Sequence, residues 1–134
     1  MRAGENPADS TVLVVEDDRD IRELVCLLIE GELGLEVREA SDGAVALRLI
    51  KKEMPSLVVT DVNMPRLNGV ELVRRLRRSR ATRALRILIV AASPKAREEA
   101  TRAGADDYID KPFNAEVLTD KVREQLGRIA AAAG

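Results

Sequence analysis

Histidine and tryptophan are absent from this chain, and cysteine, phenylalanine and tyrosine occur once each. Without histidine there is neither the commonest zinc ligand nor the usual general base, so protease-type triads and zinc sites are excluded. A lone Cys26 excludes an intrachain disulfide; beside the apolar stripe of its helix it reads as a small buried hydrophobe rather than a redox group. Long apolar runs are missing too. Runs such as Val12 to Val15 and Ile87 to Ala92 fall far short of the ~18 residues needed to cross a bilayer. Met1 to Ser10 carries no stretch resembling a secretory leader. No membrane association and a cytoplasmic location are therefore expected. A large charge of either sign is also lacking: 22 basic and 23 acidic side chains leave a net charge of −1. There is no global field to attract a polyanion, so direct nucleic-acid binding is not expected.

What is present suits one domain. The 134 residues are 46% hydrophobic and 34% charged, enough apolar material for one core. Short apolar runs alternate with longer segments of helical period, the pattern of strand–helix units around a parallel sheet. Five strands are expected: Val12–Val15, Glu36–Ala40, Leu57–Thr60, Ile87–Ala91 and Asp107–Ile109. The second and fifth are the least apolar and read as edge strands. Helix starts are signalled by Asp18 or Asp20, by Asp42, by Asn68 with Glu71 as a capping box, by Ser93-Pro94, and by Asn114. Inward stripes are expected at Ile21, Leu24, Val25 and Leu28; at Ala46, Leu47 and Ile50; at Val70, Val73 and Leu76; and at Leu118, Val122, Leu126 and Ile129. Met54-Pro55 closes the second helix, and Gly104 suits the left-handed residue after the fourth. The expected fold is an α/β, doubly wound, five-stranded parallel sheet of order 2-1-3-4-5 with helices on both faces, as in flavodoxin. Residues 1–11 are expected to be a flexible tail, 12–128 the domain, and 129–134 a fraying alanine-rich tail.

Ligands on such sheets bind beyond the carboxyl ends of the strands where the strand order reverses, here beside strands 1 and 3. The first strand ends in Glu16-Asp17-Asp18 and the third in Asp61. Carboxylates converging on one crevice repel one another unless a cation compensates them, and an all-oxygen donor set suits Mg²⁺. Strand ends in such folds are often acidic merely because Asp caps the next helix, but Asn68 already caps the third helix, leaving Asp61 without that duty. The fifth strand ends in Lys111-Pro112, which brings an ammonium to the same rim. A lysine beside a hard cation and a carboxylate is equipment for handling a phosphoryl group.

Three strings carry a resemblance: Leu13-Val14-Val15-Glu16-Asp17-Asp18; Asp61-Val62-Asn63-Met64-Pro65 with Gly69 behind it; and Gly104 through Asp110-Lys111-Pro112-Phe113. In this order, at strand ends, they resemble the CheY-like receiver domain of two-component response regulators, over about Val12 to Leu126. The resemblance implies that Asp61 is the phosphoacceptor, taking a phosphoryl group from a sensor histidine kinase or phosphotransfer protein in a Mg²⁺-dependent reaction. It implies Asp17, Asp61 and the Asn63 carbonyl as metal ligands, Glu16 acting through bound water, Lys111 pairing with phosphoryl oxygens, and a cis bond before Pro112. It also implies a downstream protein target on the face of helix 4, strand 5 and helix 5, with homodimerisation left open and no enzymatic turnover beyond self-phosphorylation and autodephosphorylation. No output domain is expected after Leu126, so the signal is expected to leave by protein contact.

One departure concerns switching. The family's strand 4 ends in Ser or Thr, whose hydroxyl bonds the phosphoryl group; here the position is Ala91, and the segment from Ala91 to Lys111 is shorter than usual. Ser93 lies nearby but reads as the cap of helix 4. Tyr108 matches the family's inward-swinging aromatic, yet its trigger is missing. The lost charge-assisted hydrogen bond is worth roughly 1.5–3 kcal/mol, so a weakened switch is expected. The rival readings are a phosphorylation-independent adaptor of the same shape and an aspartyl-nucleophile phosphohydrolase, the latter opposed by Asn63 where such enzymes carry a second aspartate. Phe113 reads as core packing behind Lys111. The arginines at 74, 75, 77, 78, 80, 83 and 86 read as a solvated face, with contact to an acidic partner as the second reading.

Overall fold

A computed structural model describes residues 10–133. Five strands and five helices alternate: β1 (Thr11–Val15), α1 (Arg19–Leu33), β2 (Glu36–Ala40), α2 (Gly43–Lys52), β3 (Leu57–Asp61), α3 (Gly69–Arg78), β4 (Arg86–Ala91), α4 (Pro94–Ala103), β5 (Asp107–Asp110) and α5 (Ala115–Ala133). The strands are parallel in the order β2-β1-β3-β4-β5, so β2 and β5 are the edges and the order reverses between β1 and β3.

Period-two alternation divides the sheet's side chains between two cores. Leu13, Val15, Val58, Ile87 and Ile89 face α2, α3 and α4, meeting Ala46, Ile50, Leu72, Val73, Leu76 and Ala100. Val12, Val14, Val59, Leu88 and Ile109 face α1 and α5, meeting Val25, Ile29, Leu118, Val122 and Leu126. The helix starts lie where the caps predict. Asp18, Asp42, Asn68 and Ser93 each accept the backbone N–H three residues on, and Asn114 does the same for Val117.

Three expectations need correction. In α1 the buried residues are Val25, Cys26 and Ile29, while Ile21 and Leu24 are exposed along with Leu27. Apolar residues nearly encircle this helix, so periodicity admits two phases, and packing against Val12, Val14 and α5 selects the second. The arginine run is not one solvated face. Arg77 donates to the carbonyls of Gly104, Arg83 and Leu85 at 2.9, 3.0 and 2.6 Å and to Asp106 at 2.9 Å. Arg86 bonds the Gln125 amide oxygen and approaches Asp106. Finally, α5 continues unbroken through residues 129–133, so the alanine-rich end extends the helix. At the other end, Thr11 already belongs to β1, and residues 1–9 lie outside the described residues.

Candidate functional site

Glu16 and Asp17 follow β1, Asp61 ends β3, and Lys111 follows β5, so parallel strands deliver all four to the carboxyl edge of the sheet. One carboxylate oxygen from each of Glu16, Asp17 and Asp61 lies within 4.8 Å of the others. Lys111 Nζ stands 3.1 Å from Asp61 Oδ1 and 3.7 Å from Glu16 Oε1. Glu16 and Asp61 are buried and Asp17 is exposed. Glu16, Asp61 and Lys111 line a crevice of about 20 Å³ with Ile21 and Phe113 at its walls, room for an ion or one water.

The electrostatics follow from that burial. Glu16 is pushed up to about 7, chiefly because burial penalises its charge, with Asp17 and Asp61 adding to the effect. The Asp18 N–H, donated to Glu16 Oε2 at 3.2 Å, and Lys111 pull the other way without cancelling it. The crevice thus holds more acid than one lysine neutralises, as a divalent-cation site does, and its all-oxygen donors suit Mg²⁺.

Several further groups position the acidic cluster, Arg22 and Arg66 among them missed from sequence. Arg22 donates to the Glu16 carbonyl at 2.8 Å and to Glu39 at 3.0 Å, tying the β1–α1 turn to the end of β2. Gly69 donates its N–H to the Val62 carbonyl at 2.8 Å, and a Cβ there would lie 2.2 Å from the Asp61 carbonyl oxygen. Gly43 donates to the Leu67 carbonyl at 3.1 Å. Next to it, Arg66, in the left-handed region at φ 66°, pairs with the buried Asp42 carboxylate. That carboxyl is held below the ordinary range by the Val45 N–H and by Arg66. The Asp42-Gly43 dipeptide is a visible cap-and-approach signal; nothing in the sequence marks Arg66.

Asn63 is exposed in the loop that Gly69, Gly43 and Arg66 hold. The Lys111–Pro112 peptide bond is cis, and the Lys111 N–H bonds the Ala91 carbonyl at 2.8 Å. Ala91 is buried at the end of β4, and Ser93 is spent capping α4. Tyr108 is turned outward and 38% exposed, with the Arg97 guanidinium 4.7 Å from its ring centroid. Arg97 also bonds both Asp110 oxygens, at 3.2 and 3.1 Å. Phe113 is half-buried against the α1–α5 core. Cys26 is buried and its thiol is pushed up to about 12, which keeps it protonated and inert.

Comparison with known proteins points one way. The profile described as "Response regulator receiver domain" matches residues 12–123. Response regulator MprA of Mycolicibacterium vanbaalenii is 41% identical over 117 residues, 87% of this chain and 50% of that protein. The chain spans about half the length of the curated relatives it matches. Among solved structures, the chemotaxis response regulator CheY4 of Vibrio cholerae has a TM-score of 0.80 at 32% identity, covering 87% of this chain and 98% of that one. The signal receiver domain of a signal transduction histidine kinase from Syntrophus aciditrophicus has a TM-score of 0.83 at 28% identity, covering 89% and 91%.

Proposed function

We propose a function from one premise: this chain belongs to the response regulator receiver domain family. Asp61 is the phosphoacceptor, and the donor is a phosphohistidine on a sensor kinase or phosphotransfer protein. A carboxylate oxygen of Asp61 forms the new O–P bond while the histidine N–P bond breaks and the imidazole leaves. Oδ1 is engaged by the Val62 N–H at 2.9 Å and by Lys111, which leaves Oδ2 to attack. The observation that carries the reading is the meeting of Glu16, Asp17 and Asp61 with the Lys111 ammonium in one crevice.

Mg²⁺ fits the donor set; Asp17, Asp61 and the Asn63 carbonyl would hold it, with Glu16 acting through water, and when bound it would neutralise developing phosphoryl charge. Lys111 orients a phosphoryl oxygen after transfer, exchanging one anionic partner for another. Aspartyl-nucleophile phosphohydrolases carry a second aspartate two residues after the nucleophile; here that position is Asn63, which opposes the phosphohydrolase reading. Ile21 at the crevice wall, with Leu24 also exposed on α1, offers that donor an apolar seat. Output passes through the face of α4, β5 and α5, carried by residues 12–128 in the cytoplasm. Because Ala91 offers no hydroxyl and Arg97 holds Tyr108 outward, this response is small. The phosphorylation-independent adaptor is not favoured, since the full acceptor set is retained.

Incubation with acetyl phosphate and Mg²⁺ tests the proposal. The expected result is one hydroxylamine-labile phosphate, seen by intact-mass spectrometry and absent from Asp61→Asn. No incorporation into the parent protein overturns the reading and restores the adaptor.

A further inference from the structure

Charge is distributed unevenly. Between Leu47 and Arg83 stand ten basic against three acidic side chains, a net +7 in a chain whose total is −1. On α3, Arg74, Arg75 and Arg78 all turn to the single carboxylate of Glu71, at 3.8, 3.4 and 3.0 Å. One carboxylate cannot neutralise three guanidinium groups. Among the described residues no carboxylate lies within ion-pair distance of Lys51, Lys52, Arg80 or Arg83.

This basic face is not flat. Between α2 and α3 runs a groove of about 390 Å³, floored by Leu47, Ile50 and Leu76, with Met54 exposed at one end and Lys51 and Arg75 on its opposite rims. It lies at the amino end of the sheet, away from Asp61, because α3 runs back from the end of β3 toward the start of β4. The occupant must bring apolar groups that protrude and negative charge that surrounds them. A lipid surface does not qualify, since Ile50 and Leu76 are recessed at 3% and 1% exposure and a planar interface cannot reach them. Nucleic acid is a poor fit, because the chain's two aromatics, Tyr108 and Phe113, lie elsewhere and an apolar floor meets no phosphate.

We propose that the α2–α3 groove docks an acidic amphipathic helix of a partner protein, its leucine-like side chains seated over Ile50 and Leu76 and its carboxylates between Lys51 and Arg75. Helix-in-groove recognition reads anchors at i, i+3 or i+4 and i+7, and a channel between two helices suits a third. The inference does not rest on the phosphoacceptor reading.

The probe is a fluorescein-labelled helical peptide of glutamate and alanine with leucines at i, i+3 and i+7, followed by fluorescence anisotropy against the full chain. The expected result is saturable binding that weakens with salt and falls at least tenfold when serine replaces the leucines. Lys51→Glu/Arg75→Glu should lose roughly tenfold or more, as opposing charges become like charges at the rim. Lys95→Glu/Arg102→Glu makes the same change in net charge on α4 and should stay within about twofold, as should Asp61→Asn. Circular dichroism melts confirm that the variants remain folded. Several results overturn the proposal: no binding, equal binding of the serine peptide, equal loss in the α4 variant, tighter binding of a DNA duplex, or Arg75-dependent self-association in sedimentation.

Discussion

Glu16→Gln is the substitution that most directly tests whether the acidic crevice is frustrated without its cation. Burial and the neighbouring carboxylates raise Glu16 from an ordinary 4.5 to about 7, so between those values the folded protein holds a proton that the unfolded chain has released. Stability from this group is therefore present below about 4.5 and is lost as pH rises through 7. A displacement from 4.5 to 7 corresponds to about 3 kcal/mol at 1.36 kcal/mol per unit of pH. Water reaching the crevice past the exposed Asp17 screens part of this, so roughly 2 kcal/mol is expected. Glutamine is nearly isosteric and can keep the Asp18 N–H bond. In urea unfolding with EDTA, Glu16→Gln should match the parent within about 0.5 kcal/mol at acidic pH and exceed it by about 2 kcal/mol at alkaline pH. Mg²⁺ should narrow the gap, because the parent gains about 2.7 kcal/mol at a hundredfold excess over Kd and the variant gains less. A variant less stable than the parent at alkaline pH in EDTA would refute the reasoning, since it would mean that the Lys111 pairing outweighs burial and repulsion.

Arg77→Met leaves the Gly104, Arg83 and Leu85 carbonyls without their shared donor and should cost about 3 kcal/mol, read as a lower urea midpoint with unchanged m. Arg77→Lys should recover only part, since one ammonium cannot span all the acceptors. Gly69→Ala forces a methyl against the Asp61 carbonyl and should destabilise by roughly 1–3 kcal/mol while slowing phosphorylation by acetyl phosphate. Phosphorylation of the parent should leave the Tyr108 ring outward, with small NMR shifts; Ala91→Ser, which supplies a hydroxyl at the end of β4, should enlarge them. A full inward swing in the parent would contradict the weakened switch.

The chemistry at strand ends was legible because it depends on local order. Carboxylates directly after an apolar run, and a lysine after another, need only a parallel sheet to meet, and the caps Asp18, Asp42, Asn68 and Ser93 announce where each helix turns back. The roles of Arg22, Arg66 and Arg77 were not legible. An arginine in a sequence shows a charge and a length, whereas its partners here are carbonyls or carboxylates far along the chain, such as Gly104 for Arg77 and Asp42 for Arg66.

Periodicity by itself determined the alternation of strands and helices, the two-sided burial of the sheet and the gathering of Glu16, Asp17, Asp61 and Lys111 at one edge, because hydrophobic spacing and crossover handedness leave few other arrangements. Tertiary packing alone decided which side of α1 is buried, which arginines are fasteners and which are surplus charge, and that a groove opens between α2 and α3. Those outcomes depend on distances between residues remote in sequence, and such distances exist only once the layers have closed on each other.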